Sequence, residues 1–566
     1  MERDPRQTAR RLLTPAFAAI TLLAGCGGGS GNATPAPAAF IDPCSQLVAC
    51  SGGTGDAAPA PAPAAFVDRC TQLVGKAVGS GTITSTKMIA ASAPQPQTCS
   101  VQGQIVSSPT STIKFQIDLP VDTAYNNKLL HVGGSGYNPV VATAETAFTS
   151  QGNNVRQRGY AIIGSDSGHQ SASTFDLSWA LNNPTAFDNF AFNSAPQVLA
   201  AGLDTVKIVY GVAPKYKYFY GTSTGGREAL QQAQRFPDSY DGVVALEPAL
   251  SYDASIQKGI QVAQAAFGSG GAGWISPFKA ALFDGAQLAA CDAADGLADG
   301  IISHPTACTF DPTTLRCPGG ADTGNTCFSD NQLATIQAVR TDLTLPAPVA
   351  NGVTVARRYG IGVEGDPLLG TGGGWVAMQF GASASQPFSG MYAFADQWLK
   401  YAVTSNAATT VTGYVLGSDT AKWMALSVKD NASNPDLSSF ATHGKLILWH
   451  GWSDHLVPPG SSIDYYNSVV SKLGQAKTDS FMRFYMSPGV THVTTGPGAG
   501  IVDRLTALED WVEKGATPPD SLVGTKYAAD GTSVVRTRPT CRYPAWPKYS
   551  GSGDVNAAAS FKCVTE

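Results

Sequence analysis

Gly221-Thr222-Ser223-Thr224-Gly225 follows the apolar run Tyr218-Phe219-Tyr220 and precedes the helix-forming stretch Gly226-Arg227-Glu228-Ala229-Leu230. A serine set this way, on a tight turn between strand and helix, has the G-x-S-x-G pattern of a nucleophile elbow. Glycines two before and two after it keep β-carbons from colliding with the adjoining strand and helix. The next N–H, on Thr224, falls at a helix N-terminus, where it can hold an oxyanion. Taken alone, the pattern is also an ordinary Gly/Ser/Thr turn. What decides between them is whether the chain supplies a base and an acid.

A serine nucleophile needs a base to take its proton and a carboxylate to orient that base. On a doubly wound sheet these follow in the chain order serine, acid, histidine, each on a loop after a strand. Asp454, in His450-Gly451-Trp452-Ser453-Asp454, follows the apolar run Lys445 to Trp449, and His492, in Gly489-Val490-Thr491-His492, follows Phe481 to Met486. The chain has seven histidines, so one in this slot is informative. His450 and His455 stand nearby but do not occupy the position of a base on the last strand's loop. Gly133-Gly134-Ser135-Gly136 follows an early strand and suits the second oxyanion donor, with Gly133 expected to give the N–H. Asp166 and His169, on the loop after the next strand, read as structural.

A second motif is Cys291-Asp292-Ala293-Ala294-Asp295-Gly296-Leu297-Ala298-Asp299-Gly300-Ile301. Three carboxylates this close repel one another unless solvent or a cation separates them, and hard oxygen donors suit Ca²⁺. The spacing is not that of an EF-hand. The expected ligands are Asp292, Asp295 and Asp299 with the carbonyls of Leu297 and Ile301. The ion would be structural, since the loop stands apart from the serine motif.

The elements that must position these groups read as α/β. Thr112 to Leu119 alternates like a half-buried strand. Lys128 to Val132, Tyr160 to Gly164, Asp241 to Leu246, Lys445 to Trp449 and Phe481 to Met486 are apolar runs, several of them ending in glycine-rich loops. Helices are expected over Ala195 to Tyr210, after Ser223, over Ser461 to Leu473 and over Ile501 to Glu513. Strands alternating with helices predict a mostly parallel sheet flanked by helices, with the site at the strands' C-terminal edge. The alternation lapses over 251–440, which reads as an inserted lid domain between two parts of the core, 67–250 and 441–566.

The first 66 residues stand outside that scheme. Arg3, Arg6, Arg10 and Arg11 precede an apolar stretch from Leu12 to Leu22, too short for a membrane span. Leu23-Ala24-Gly25-Cys26 then resembles a lipobox, so 1–26 reads as a lipoprotein-type signal with Cys26 as the lipidated residue. Residues 27–66 are a Pro/Ala/Gly-rich tether containing a partial duplicate of the segment around Cys70. The expected location is therefore outside the cytoplasm: outer membrane, periplasm or medium. There the ten cysteines other than Cys26 read as disulfides, with Cys44 and Cys50 as a candidate pair. A formal net charge of −5 and no basic run beyond the N-terminal arginines argue against a nucleic-acid partner.

These residues together resemble the tannase and feruloyl esterase family, which includes the mono(hydroxyethyl) terephthalate hydrolases. The resemblance runs from about Cys70 to Cys563. It rests on Gly133-Gly134-Ser135-Gly136, Ser223 to Glu228, Arg235 to Gly242, the acidic loop, His450 to Asp454 and Arg538-Pro539-Thr540-Cys541. It implies an α/β-hydrolase core, a calcium-binding lid, substrates that are esters of aromatic acids, and disulfides Cys70–Cys99, Cys291–Cys308, Cys317–Cys327 and Cys541–Cys563. Two departures stand out. Family members carry cysteines just before the serine and just after the histidine, bridged beneath the triad, and here these positions are Thr222 and Val493. Glu247 stands where the family has a small residue before proline, and is expected near the site mouth.

The lid region carries Trp375, Phe380, Phe388, Tyr392, Phe394 and Trp398, rings that suit stacking on an aryl acid or simply form the lid's core. No arginine lies between Trp375 and Trp398 to hold a free carboxylate. The expected function is a monomeric serine esterase acting on feruloyl- or galloyl-type esters through an acyl-enzyme. The alternatives are an esterase for aliphatic or synthetic polyester-derived esters, and an inactive surface binding protein on the same fold.

Overall fold

The computed structural model describes residues 64–145, 155–360, 374–385 and 389–566. Cys26, Cys44, Cys50, residues 27–63 of the tether, Phe388 and the side chain of Val493 lie outside the described residues, while the tether's last residues, from Ala64, open a helix that buries Phe66 in the core.

Apolar strands flanked on both faces become the centre of a sheet. β1 (Gly81–Ile89), β2 (Thr98–Ser108) and β3 (Ser111–Pro120) form an antiparallel meander. β4 (Lys128–Val132), β5 (Ala161–Ser165), β6 (Tyr216–Thr222), β7 (Gly242–Leu246), β8 (Lys445–Gly451) and β9 (Met482–Ser487) are the parallel centre, and β10 (Ser521–Tyr527) and β11 (Val534–Arg542) an antiparallel hairpin. With two-residue strands at each edge, thirteen strands of the described residues form one mixed sheet in the order β1-β2-β3-β5-β4-β6-β7-β8-β9-β11-β10 between those edges. β3 runs antiparallel to β5, and β11 antiparallel to β9. The six central strands match the apolar runs. Of the flanking antiparallel strands, β3 covers the run Thr112 to Leu119 read as half-buried; β1, β2, β10 and β11 are the addition, and they are less apolar because parts of them face water.

Alternate residues of the central strands feed two cores. Leu129, Ile163, Phe219, Val243, Leu448 and Phe484 pack on one face against α1 (Ser194–Tyr210), α2 (Thr224–Arg235) and, further on, α5 (Pro459–Leu473). Leu130, Ile162, Tyr220, Val244, Ile447 and Tyr485 pack on the other against Leu505 and Leu508 of α6 (Arg504–Lys514). Each side chain so buried contributes about 1.5–3 kcal/mol. α1 ends at Gly211, whose φ of 78° closes the helix in a left-handed turn.

The chain leaves the sheet after Leu246 and returns at Lys445. Between them lie α3 (Tyr252–Phe267), α4 (Thr420–Asp430), helices at Pro277–Cys291, Asp330–Arg340 and Gly390–Gln397, and a ribbon of Leu343–Val349 with Val353–Ala356. The core of this insertion is continuous with Tyr137, Leu177 and Phe190 from the first part of the chain. Among the described residues four disulfides brace the fold, at Cys70–Cys99, Cys291–Cys308, Cys317–Cys327 and Cys541–Cys563. These are the four pairs the resemblance implies. Among the described residues no helix is long and apolar enough to cross a membrane.

Candidate active site

β6 ends at Thr222, and Ser223 turns the chain into α2 with φ 60° and ψ −120°. That backbone costs an L-residue about 1–3 kcal/mol. It persists because neighbours over-determine it. The Ser223 N–H donates to the carbonyl of Leu246 (3.0 Å), while its own carbonyl accepts from Arg227 (3.0 Å) and Ala249 (3.1 Å). The glycines leave no room for side chains. A β-carbon at Gly221 would meet the Gly225 carbonyl oxygen at 2.2 Å, and one at Gly133 would meet the Gly225 α-carbon at 2.5 Å. Ser223 itself remains partly exposed.

Adjacent strands bring the other groups to the same edge. Thr222 pairs with Leu246, Leu246 with Trp449, and Gly451 with Ser487. The loops after β8 and β9 then deliver Asp454 and His492, whose Nδ1 lies 2.7 Å from Asp454 Oδ2. Asp454 Oδ1 accepts the N–H groups of Leu456 and Val457, both at 2.8 Å. His450 approaches the same carboxylate, with Nε2 3.2 Å from Oδ2, and its Nδ1 bonds Ser462 at 2.8 Å. His450 is thus a brace for the acid. Burial alone would push the Asp454 carboxyl up, but His492, then His450, hold it well below the usual carboxylate range. Burial opposes charge on His492, yet Asp454 and, after it, Glu247 raise the ring to about 9.

Glu247 does not sit at the mouth of the site. It is wholly buried, with Oε2 3.5 Å from His492 Nδ1. The strand order explains this: β7 lies between the serine strand and the acid strand, so the first residue after it falls beneath the histidine.

The expected second oxyanion donor needs correction. The Gly133 N–H donates to the carbonyl of Tyr220 at 3.0 Å, continuing the sheet ladder, and so is not free to hold an oxyanion. Gly133 serves instead as the surface on which Gly225 rests. The Gly134 N–H donates to Glu228 Oε2 at 3.0 Å, and Glu228 Oε1 accepts from Asn138 and Ser167, both at 3.2 Å. Glu228, buried on the serine's own helix, thus shapes the loop; a charged residue five positions beyond Ser223 was the only signal for it. Ser135 and Gly136 follow on that loop. Thr224 opens α2, so its N–H has no partner within the helix. Asp166 and His169 brace the neighbouring loop. Asp166 Oδ1 accepts from Lys114 (2.9 Å) and Gly168 (3.0 Å), and His169 stacks on Trp179 at 3.5 Å.

Over the elbow, the insertion contributes rings. Tyr252 stacks on Trp398 with centroids 5.3 Å apart, and Tyr137 meets Phe394 edge-on at 5.1 Å. The Tyr252 hydroxyl donates to the Gly136 carbonyl at 3.1 Å. Trp375, Phe380, Phe394 and Trp398 are buried in the insertion's core, and Tyr392 is half-buried against Phe267.

The acidic loop folds back on itself. Asp292 accepts the N–H of Asp299 (3.3 Å) and Gly300 (2.9 Å), Asp295 those of Leu297 (3.2 Å) and Ser303, and Asp299 that of Ile301 (3.2 Å). Arg538 pairs with Asp299. Burial raises Asp295 to about 6 even against these bonds, and Asp299 and Asp292 add to the rise. Excess negative charge of this kind fits a hard cation. The three carboxylates are nevertheless not drawn together: among the described residues, the one trio with ligand atoms all within 4.8 Å is Glu247, Asp454 and His492.

A profile of the family described as "Tannase and feruloyl esterase" matches residues 99–564. An uncharacterized esterase of Xanthomonas campestris pv. campestris is 33% identical over 508 residues, covering 83% of this chain and 84% of its own. A mono(2-hydroxyethyl) terephthalate hydrolase of Piscinibacter sakaiensis is 31% identical over 531 residues, covering 84% and 86%. Among solved structures, feruloyl esterase B from Aspergillus oryzae superposes with a TM-score of 0.75 at 24% identity, over 88% of this chain and all of that one. With a strained serine, an imidazole and a carboxylate at one edge of the parallel sheet, and a match this long, the chain belongs to the tannase and feruloyl esterase family of carboxylic ester hydrolases.

Proposed function

We propose that the protein is an exported serine esterase that cleaves esters of aromatic acids through an acyl-enzyme. The observation that carries this is the 2.7 Å His492–Asp454 pair at the same sheet edge as a serine held at φ 60°, ψ −120°. Ser223 Oγ attacks the ester carbonyl carbon. Nε2 of His492 accepts the hydroxyl proton and returns it to the leaving alkoxide, while Asp454 holds the Nδ1 proton. The oxyanion is held by the Thr224 N–H and by an N–H of the Ser135–Gly136 turn. Water, deprotonated by the same imidazole, then releases the acid.

The family match, whose relatives include feruloyl esterase B of Aspergillus niger, favours an aryl acyl group. The absence of arginine from 375–398 favours neutral feruloyl- or galloyl-type esters over a terephthalate monoester. The lipobox around Cys26 and the four disulfides support export to an oxidising compartment. S223A should lower kcat on a chromogenic aryl ester by about 10⁶-fold and abolish fluorophosphonate labelling; retained turnover would overturn the assignment. Methyl ferulate, methyl gallate and short p-nitrophenyl esters, assayed side by side, test the acyl preference.

The acidic loop is the proposed site of a structural Ca²⁺, held by Asp292, Asp295 and Asp299 with the Leu297 and Ile301 carbonyls. Chelation should lower Tm by several degrees, each kcal/mol lost corresponding to about 2–4 °C or less in a chain this long. Recovery with Ca²⁺ but not Mg²⁺ is expected. A Tm indifferent to chelator and to added Ca²⁺ would dismiss the site.

A further inference from the structure

Two carboxylates, not one, face Nδ1 of His492. Asp454 accepts its proton at 2.7 Å, and Glu247 Oε2 lies 3.5 Å away, close enough to act on the ring's charge but not its first acceptor. Glu247 reaches that place at a cost. It is wholly buried, and its φ of 43° puts an L side chain in the left-handed region. Its own N–H donates to the Trp449 carbonyl at 2.8 Å, which locks it into the ladder between the serine and acid strands. The indole of Trp449 lies under the buried guanidinium of Arg504 at 3.9 Å, and the charge of Glu247 is felt at Arg504. A buried, strained carboxylate is retained where its charge is used.

We propose that Glu247 is a second acid for His492, a positioning residue that shares with Asp454 the stabilisation of the imidazolium and takes over part of that role when Asp454 is lost. The inference rests on His492 being the base for Ser223. The proton moves as in the single-acid scheme: from Ser223 Oγ to Nε2, with the Nδ1 proton staying on the ring. Glu247 takes no proton. Its charge offsets the one that develops on the imidazole, and its position restrains the ring at its Nδ1 edge.

The titratable and charged groups around this pair are Asp454, His450 and His455 from β8 and its loop, Tyr359 near Asp454, and Tyr220 and Arg504 behind Glu247. Of these, E247Q changes only the charge at Glu247. Because only the neutral imidazole accepts the serine's proton, the wild-type acid limb of kcat/KM should lie on the alkaline side, near the value of about 9 that burial, Asp454 and Glu247 together set.

The experiment measures kcat/KM against pH for wild type, E247Q, E247D, D454A and D454A/E247Q on a chromogenic p-nitrophenyl ester, with S223A as reference. Removing a negative charge makes the ring easier to deprotonate. In E247Q the acid limb should therefore move about one pH unit lower while the plateau of kcat falls about tenfold and KM stays. E247D, which keeps the charge, should leave the limb near its wild-type position even if packing suffers. D454A should retain activity that D454A/E247Q loses by a further tenfold or more. An acid limb unmoved in E247Q, or a double variant no slower than D454A, overturns the role of Glu247 while leaving the serine mechanism intact. Activity surviving in S223A would instead remove the mechanism itself.

Discussion

The elbow and the insertion above it are built from different materials. At the elbow the backbone does the shaping: Gly133, Gly221 and Gly225 meet at distances that admit no β-carbon, and Ser223 holds a conformation L-residues avoid. In the insertion the side chains do it: Tyr252, Trp398 and Phe394 stack and abut, with Tyr137 from the first part of the chain among them. Damage to the first should destroy chemistry through geometry. Damage to the second should cost stability and acyl preference while leaving a reactive serine.

The largest expected effect is therefore that of a single methyl group. G221A places a β-carbon 2.2 Å from the Gly225 carbonyl oxygen, and backbone on both sides cannot yield. A loss of about 4 kcal/mol or more is expected, with fluorophosphonate labelling gone in whatever folded protein remains. If G221A labels like wild type, the elbow is looser than its contacts imply. W398A removes a buried indole from the ring stack and should cost about 3–5 kcal/mol by chemical denaturation. Below its transition the variant should still label at Ser223, and loss of labelling in folded protein would erase the distinction between the regions. The smallest effect is expected at Thr222, whose buried hydroxyl finds no partner. T222V should be neutral or stabilising by about 1 kcal/mol, with kcat unchanged. A destabilised T222V would mean that the hydroxyl supports the elbow where the family has its bridge.

What could be read in the chain follows the same division. The strand ends that carry Ser223, Asp454 and His492 were legible because central parallel strands are apolar on both faces and their loops begin at glycine. The strands β10 and β11 were not, because they are partly exposed and their residues alternate with polar ones. The sequence points to Gly133 as an oxyanion donor because it shows the loop's composition and not its hydrogen bonds. Only the pairing of β4 with β6 shows that its N–H is spent on Tyr220. In the sequence Glu247 stands out only as a carboxylate before a proline. Its place beside the histidine depends on the insertion of 247–444 lying between neighbouring strands, which no local pattern encodes.

The acidic loop has a further consequence, for recombination among relatives. Arg538 grips Asp299, Arg536 reaches the carbonyls of Asp299 and Pro497, and Ile301 lies so near Gly489 that a β-carbon there would stand 3.1 Å from it. Three stretches distant in sequence, one of them leading to His492, are thereby keyed together. The insertion is accordingly not a cassette. A chimera that takes residues 247–444 from one esterase and the rest from another inherits half of a lock, unless positions 489, 536 and 538 travel with it.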